Sequence, residues 1–111
     1  MSRTLSFVCA ALLSLAVTAC DDSTGITAAD IACPTTQTLT YANFGQATMD
    51  TYCNSCHATR ESPHFATQAQ IQSHADEIID EAVFHSGMPE DKDMSNELRI
   101  QLGQWLTCGA P

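Results

Sequence analysis

Apolar and small residues recur at three- and four-residue steps in three stretches of the chain. The first runs from about Thr40 to Tyr52, where Tyr41, Phe44, Gly45, Thr48, Met49 and Tyr52 make one inward stripe. The second follows Thr67-Gln68-Ala69-Gln70, which has the form of a capping box, and carries Ile71, Ala75, Ile78, Ile79, Ala82 and Val83 as far as Gly87. The third begins at Ser95, an N-cap residue, and its stripe is Leu98, Leu102, Trp105 and Leu106 before Gly109 ends it. The pattern predicts an all-α domain over 38–111 with three main helices, at about 40–53, 68–86 and 95–107.

The polar positions complete this picture. Asp76, Glu77, Asp80 and Glu81 fall on the face of the second helix opposite its stripe, where paired carboxylates read as solvated surface rather than acid–base machinery. His74 sits at the boundary of that stripe. Residues 21–37 are rich in small polar residues and lack an apolar period, so 20–37 is expected to be a flexible tether. No internal repeat is visible.

Ahead of the tether, residues 1–19 have the layout of a targeting segment. Arg3 supplies the positive region, Leu5 to Val17 is a nearly unbroken apolar run, and Thr18 and Ala19 precede Cys20. The run is short for a bilayer span, which takes about 20 apolar residues. Val17-Thr18-Ala19-Cys20 resembles the lipobox of bacterial lipoproteins. The resemblance implies cleavage before Cys20, lipidation of that cysteine, and a chain anchored to the bacterial cell envelope facing the periplasm. An ordinary cleaved signal peptide is the alternative.

Composition narrows the classes. A chain of 111 residues with 44% hydrophobic content builds one small domain, and 38–111 alone would bury little apolar surface. Domains of that size usually lean on a disulfide, a metal or a large cofactor. Once Arg3 leaves with the leader, Arg60, Lys92 and Arg99 face all 13 acidic residues. That balance argues against nucleic acid or anionic lipid bound through charge and suits a partner with a basic face.

The candidate chemistry lies in Cys53-Asn54-Ser55-Cys56-His57. C-x-x-C-H is the pattern of c-type haem attachment: two thiols one helical turn apart form thioethers to the porphyrin edge, and the adjacent imidazole turns under the ring to the iron. The same residues could form half of a zinc site, with Cys33 or Cys108 joining, or a redox dithiol. Of the six cysteines, Cys9 would leave with the leader, Cys20 would take lipid, and Cys53 and Cys56 would hold haem. Cys33 and Cys108 remain, either as a disulfide in an oxidising compartment or as separate thiols.

Several residues around the motif resemble class I c-type cytochromes. Gly45 and Met49 stand eight and four residues before Cys53, where that family has a glycine and a bulky apolar residue that let its first helix cross the last one closely. His85-Ser86-Gly87-Met88-Pro89 resembles the family's methionine–proline segment, which implies Met88 as the second axial ligand, with Met94 and His85 as the alternatives. Arg99, Leu102 and Trp105 reproduce the arginine, leucine and aromatic spacing of the family's C-terminal helix, whose aromatic meets the glycine. Pro63 is the candidate for the carbonyl that accepts a hydrogen bond from the haem histidine; otherwise it is a turn residue.

The resemblance covers Tyr41 to Trp105 and implies a small cytochrome c fold around one covalent haem c, with iron held by His57 and Met88. The implied function is one-electron transfer with redox protein partners, without enzymatic activity. The short interval from His57 to Met88 implies an exposed haem edge. The alternatives from other classes are a haem-based gas sensor or peroxidase-like enzyme, and a zinc-binding structural lipoprotein.

Overall fold

The structure is a computed structural model that describes residues 22–111. The expectations for residues 1–19 and for Cys20 lie outside the described residues. Among those described there is no strand, only one isolated antiparallel bridge between Ser23 and His85, and no helix is long and apolar enough to cross a membrane. The fold is all-α, as the periodicity predicts.

Helix α1 opens as a π-turn over Tyr41–Gly45 and continues as an α-helix over Gln46–Tyr52. Its start is set by a reciprocal cap: Asn43 N donates to Thr40 Oγ1 at 3.1 Å and Thr40 N donates to Asn43 Oδ1 at 2.7 Å. A short helix α2 spans Asn54–His57, so the C-x-x-C-H residues follow α1 almost without a break. Helix α3 runs as Gln68–Ser73, Ala75–Ile78 and a π-turn over Ile79–Phe84. The predicted capping box is formed, with Gln70 N to Thr67 Oγ1 at 3.2 Å and Thr67 N to Gln70 Oε1 at 3.1 Å. Helix α4 spans Asn96–Thr107, capped by Ser95 Oγ accepting from Leu98 N at 3.2 Å.

The second helix is less regular than the single run expected over 68–86. His74 adopts φ −115° and ψ 18°, which breaks the α geometry. The chain is already extended at His85, at φ −118° and ψ 159°, so the helical part ends two residues early. There the i→i+5 bond from His85 N to Asp80 O closes the last turn.

The stripes meet in one core built from Met49, Ile71, Ile78, Val83, Leu102 and Trp105 among others. Phe44 packs edge-on to Trp105 at a ring separation of 6.0 Å. Gly45 lies directly against the same indole: a Cβ there would overlap the ring, with even its third-nearest atom, Cε2, at 2.8 Å. The glycine therefore permits the close approach of α1 to α4 that the family resemblance implied. Past α4, Gly109 and Ala110 turn with positive φ (93° and 49°), and Gln68 and Gln72 of α3 donate to the Ala110 carbonyl at 2.9 and 3.2 Å.

The expected flexible tether is corrected for the part of it that is described. Ile31 is 4% exposed and belongs to the core, packed on Gly103, where a Cβ would approach its Cγ2 to 2.5 Å. Thr24 donates from its main chain to Phe84 O at 2.9 Å and from its hydroxyl to Val83 O at 2.6 Å. Ser86 donates from both N and Oγ to Asp22 O, at 2.8 and 3.0 Å. The segment 22–33 is thus a strap across the end of α3. Cys33 and Cys108 stand at disulfide distance with Cα atoms 4.9 Å apart, tying the end of the strap to the end of α4.

Candidate functional site

Two adjoining cavities, of about 310 and about 410 Å³, share Tyr52, Cys53, His57, Ser62, Met88 and Pro89 in their walls. Each falls within the range of roughly 300–1,000 Å³ usual for small-molecule and cofactor sites. The first is mostly apolar, completed by Phe65, Ile78 and Ala82. The second is more polar and adds Cys56, Arg60, Glu61, Glu90 and Asp91. Four residues singled out in the sequence, Cys53, Cys56, His57 and Met88, therefore border one joined space.

Local structure explains how they arrive there. α2 carries Cys53, its cap, together with Cys56 and His57 on a single turn, held by His57 N to Cys53 O at 2.9 Å. His57 Nδ1 donates to Pro63 O at 2.8 Å and lies 3.2 Å from Glu61 O. A carbonyl can only accept, so these contacts put the proton on Nδ1 and leave the lone pair of the neutral ring on Nε2. Phe65 N donates to His57 O at 2.8 Å, and its buried ring tilts at 36° to the imidazole with centroids 5.0 Å apart. Pro63 is thus more than a turn residue: the loop folds back on the histidine and fixes its ring from two sides.

Burial pushes the Cys53 thiol up to about 11, against a smaller downward pull from the Lys92 ammonium. Lys92 donates to Thr51 O, which closes the acidic loop 90–93 over the end of α1. A redox or metal-binding C-x-x-C pair works as thiolate and favours a lowered value. Cys33 and Cys108, which a zinc site would have borrowed, are bonded to each other.

Met88 is half-buried, and both of its main-chain groups are held: its N–H donates to Glu81 O at 3.2 Å, and its carbonyl accepts from Arg99 Nη1 at 2.8 Å. The two alternatives to Met88 sit elsewhere. Met94 is buried in the core and lines neither cavity with His57. His85 is bonded through Nδ1 to Asp80 O at 2.8 Å, and that bond, with Asp22, Asp80 and Glu81 nearby, raises its pKa.

Glu77 and Glu81, read as solvated surface, are exposed but stand at the rim of the apolar cavity. His74 is half-buried, with Nδ1 3.2 Å from Glu77 Oε2 and its ring edge-on to Phe65. Sequence reasoning missed Phe65 and Tyr52 as walls of the site. The aromatic two residues after Pro63 was the available signal for Phe65. No family model matches the chain, and no curated protein or solved structure matches it.

Proposed function

We propose that this chain is a one-electron carrier of the class I c-type cytochrome kind, with a small cytochrome c fold around one covalent haem c. The observation that carries this reading is the convergence of Cys53, Cys56, His57 and Met88 on one joined cavity while His57 Nδ1 is engaged by Pro63 O. Held there, a haem supplies an Fe(II)/Fe(III) couple whose potential follows axial ligand, burial and hydrogen bonding.

The chain's own residues do the rest. Cys53 and Cys56 sit on one helical turn, Cys53 in the walls of both cavities and Cys56 in the wall of the second, and fit two thioether links. His57 offers Nε2, while its bond to Pro63 O orients the ring and raises its basicity. Met88 offers a soft, neutral thioether that suits both oxidation states. Phe65, Ile78 and Ala82 exclude water from the apolar side, and Glu61, Glu90 and Asp91 make the other side polar and acidic. Of the basic residues, Arg99 is buried, Lys92 is bonded to Thr51 O and Arg60 is turned onto Cys56 Sγ, while Glu61, Glu90 and Asp91 outnumber Arg60 at the rim, a balance that suits a redox partner with a basic face. Lipidation at Cys20 would keep this face at the envelope surface, towards the periplasm.

The test is the optical spectrum of protein made in a host that attaches c-type haem. The expected result is covalent haem and a weak red charge-transfer band in the ferric form, which Met88→Ala abolishes. Covalent haem without that band, with immediate carbon monoxide binding when reduced, would replace the carrier with a sensor or enzyme. Absence of covalent haem would sink both.

A further inference from the structure

Arg99 is 5% exposed, and among the described residues no carboxylate is bonded to it: its polar contacts there are all with main-chain carbonyls. Nε donates to Met94 O at 3.2 Å, and Nη1 is shared among Ala82 O at 2.5 Å, Met88 O at 2.8 Å and His85 O at 3.3 Å. Burial lowers its pKa, the direction expected for a cation held by dipoles rather than by a counter-charge. These acceptors span the end of α3, Met88 itself and the last turn of chain before α4. No helix lies between Phe84 and Asn96, so helix geometry does not hold this segment. One guanidinium from α4 gathers both of its ends and its centre.

The same guanidinium supplies the second of two main-chain restraints on Met88. Met88 N–H is bonded to Glu81 of α3, and Met88 C=O is bonded to Arg99 of α4. With both main-chain groups fixed, the direction in which the side chain leaves the backbone is fixed too, and it borders the cavities that contain His57. An ammonium would keep the charge but not the span, because its donors radiate from one point.

We propose that Arg99 is the positioning residue for Met88: it holds the 85–94 segment so that the thioether stays at the His57 cavity and outside ligands are kept from the sixth iron position. This rests on the reading that His57 and Met88 hold the iron.

The test is imidazole binding to the ferric holoprotein, read from the haem spectrum, beside urea unfolding. Met88→Ala is expected to bind imidazole far more tightly than the wild type. Arg99→Lys is expected to bind it at least tenfold more tightly than the wild type and to lose the red band at a lower temperature than helix content. Leu102→Ala removes a fully buried side chain from the same helix outside the cavity walls, and it should unfold earlier with imidazole affinity within twofold of wild type. If Arg99→Lys behaves like Leu102→Ala, destabilised but no more open to imidazole, Arg99 is only a core residue and the proposal falls. If Arg99→Lys does not fold, the wild type still decides through reciprocity. Exchange of the Arg99 Nε proton should then quicken when imidazole displaces Met88, and unchanged exchange overturns the assignment. Failure of the underlying reading has its own signature, which is Met88→Ala with wild-type imidazole affinity.

Discussion

Glycine within a helix costs about 1 kcal/mol relative to alanine, so Gly45→Ala should be a gain if nothing opposes it. Trp105 opposes it: the indole is fully buried, and the space a Cβ would occupy is already filled by its ring. Overpacking a rigid core site typically costs about 1–3 kcal/mol and sometimes more, which outweighs the propensity gain. Gly45→Ala is therefore expected to lower the urea midpoint of the protein by the equivalent of about 1–2 kcal/mol. A neutral or stabilised variant would mean that α1 and α4 do not approach this closely in solution. Residues of this kind were legible because their signal is local spacing. His57, Cys53 and Cys56 were singled out by a five-residue pattern, and the family resemblance named Pro63 as the candidate partner of the histidine, a contact that is present. Arg99 is the contrary case. Its spacing on α4 was visible, but its partners are main-chain carbonyls, which carry no sequence signal.

At the scale of elements, the apolar period found the helices because each has one face in a shared core and an opposite face in water. The two predicted caps, at Thr67 and Ser95, formed as the side-chain types required. Three features escaped. The break at His74 and the π-turn over Ile79–Phe84 leave the apolar spacing of α3 almost unchanged, so the pattern could not reveal them. The strap over 22–33 has no periodic pattern at all: it is held by one buried side chain, Ile31, and by hydrogen bonds to carbonyls of 83 and 84 and to Ser86. A lone isoleucine in a polar stretch reads as linker until its receiving groove is known, and that groove exists only because residue 103 is glycine. The two readings of this segment differ sharply in energy. Truncating an isoleucine on a flexible tether changes stability by a few tenths of a kcal/mol, whereas burial in a core makes Ile→Ala cost about 2–5 kcal/mol. Ile31→Ala is expected in the lower half of that range, because the strap is a surface element, and chemical denaturation of the protein measures it.

For the molecule as a whole, the question is how so small a domain holds itself together. The cavity walls come from α1, α2, α3 and the Met88 segment, so a cofactor there would join the middle of the chain. The Cys33–Cys108 link joins the strap to the end of α4, closing 75 residues that contain every wall of the site. Chain entropy assigns such a closure about 4.5 kcal/mol, and native disulfides more often deliver about 2–4 kcal/mol when removed. Cys33 also lies two residues beyond Ile31, so the covalent link and the buried isoleucine anchor the same strap. Shared anchoring makes their effects non-additive. Once the link is gone, the strap is free to lift, and part of what Ile31 contributes is already lost. The paired variant Cys33→Ser with Cys108→Ser should cost about 2–4 kcal/mol by itself. Adding Ile31→Ala to it should cost at least about 0.5 kcal/mol less than the same truncation in the linked protein. Additivity within that margin would mean that the strap stays docked through its hydrogen bonds to 83–86 alone, with the disulfide acting only on the unfolded chain.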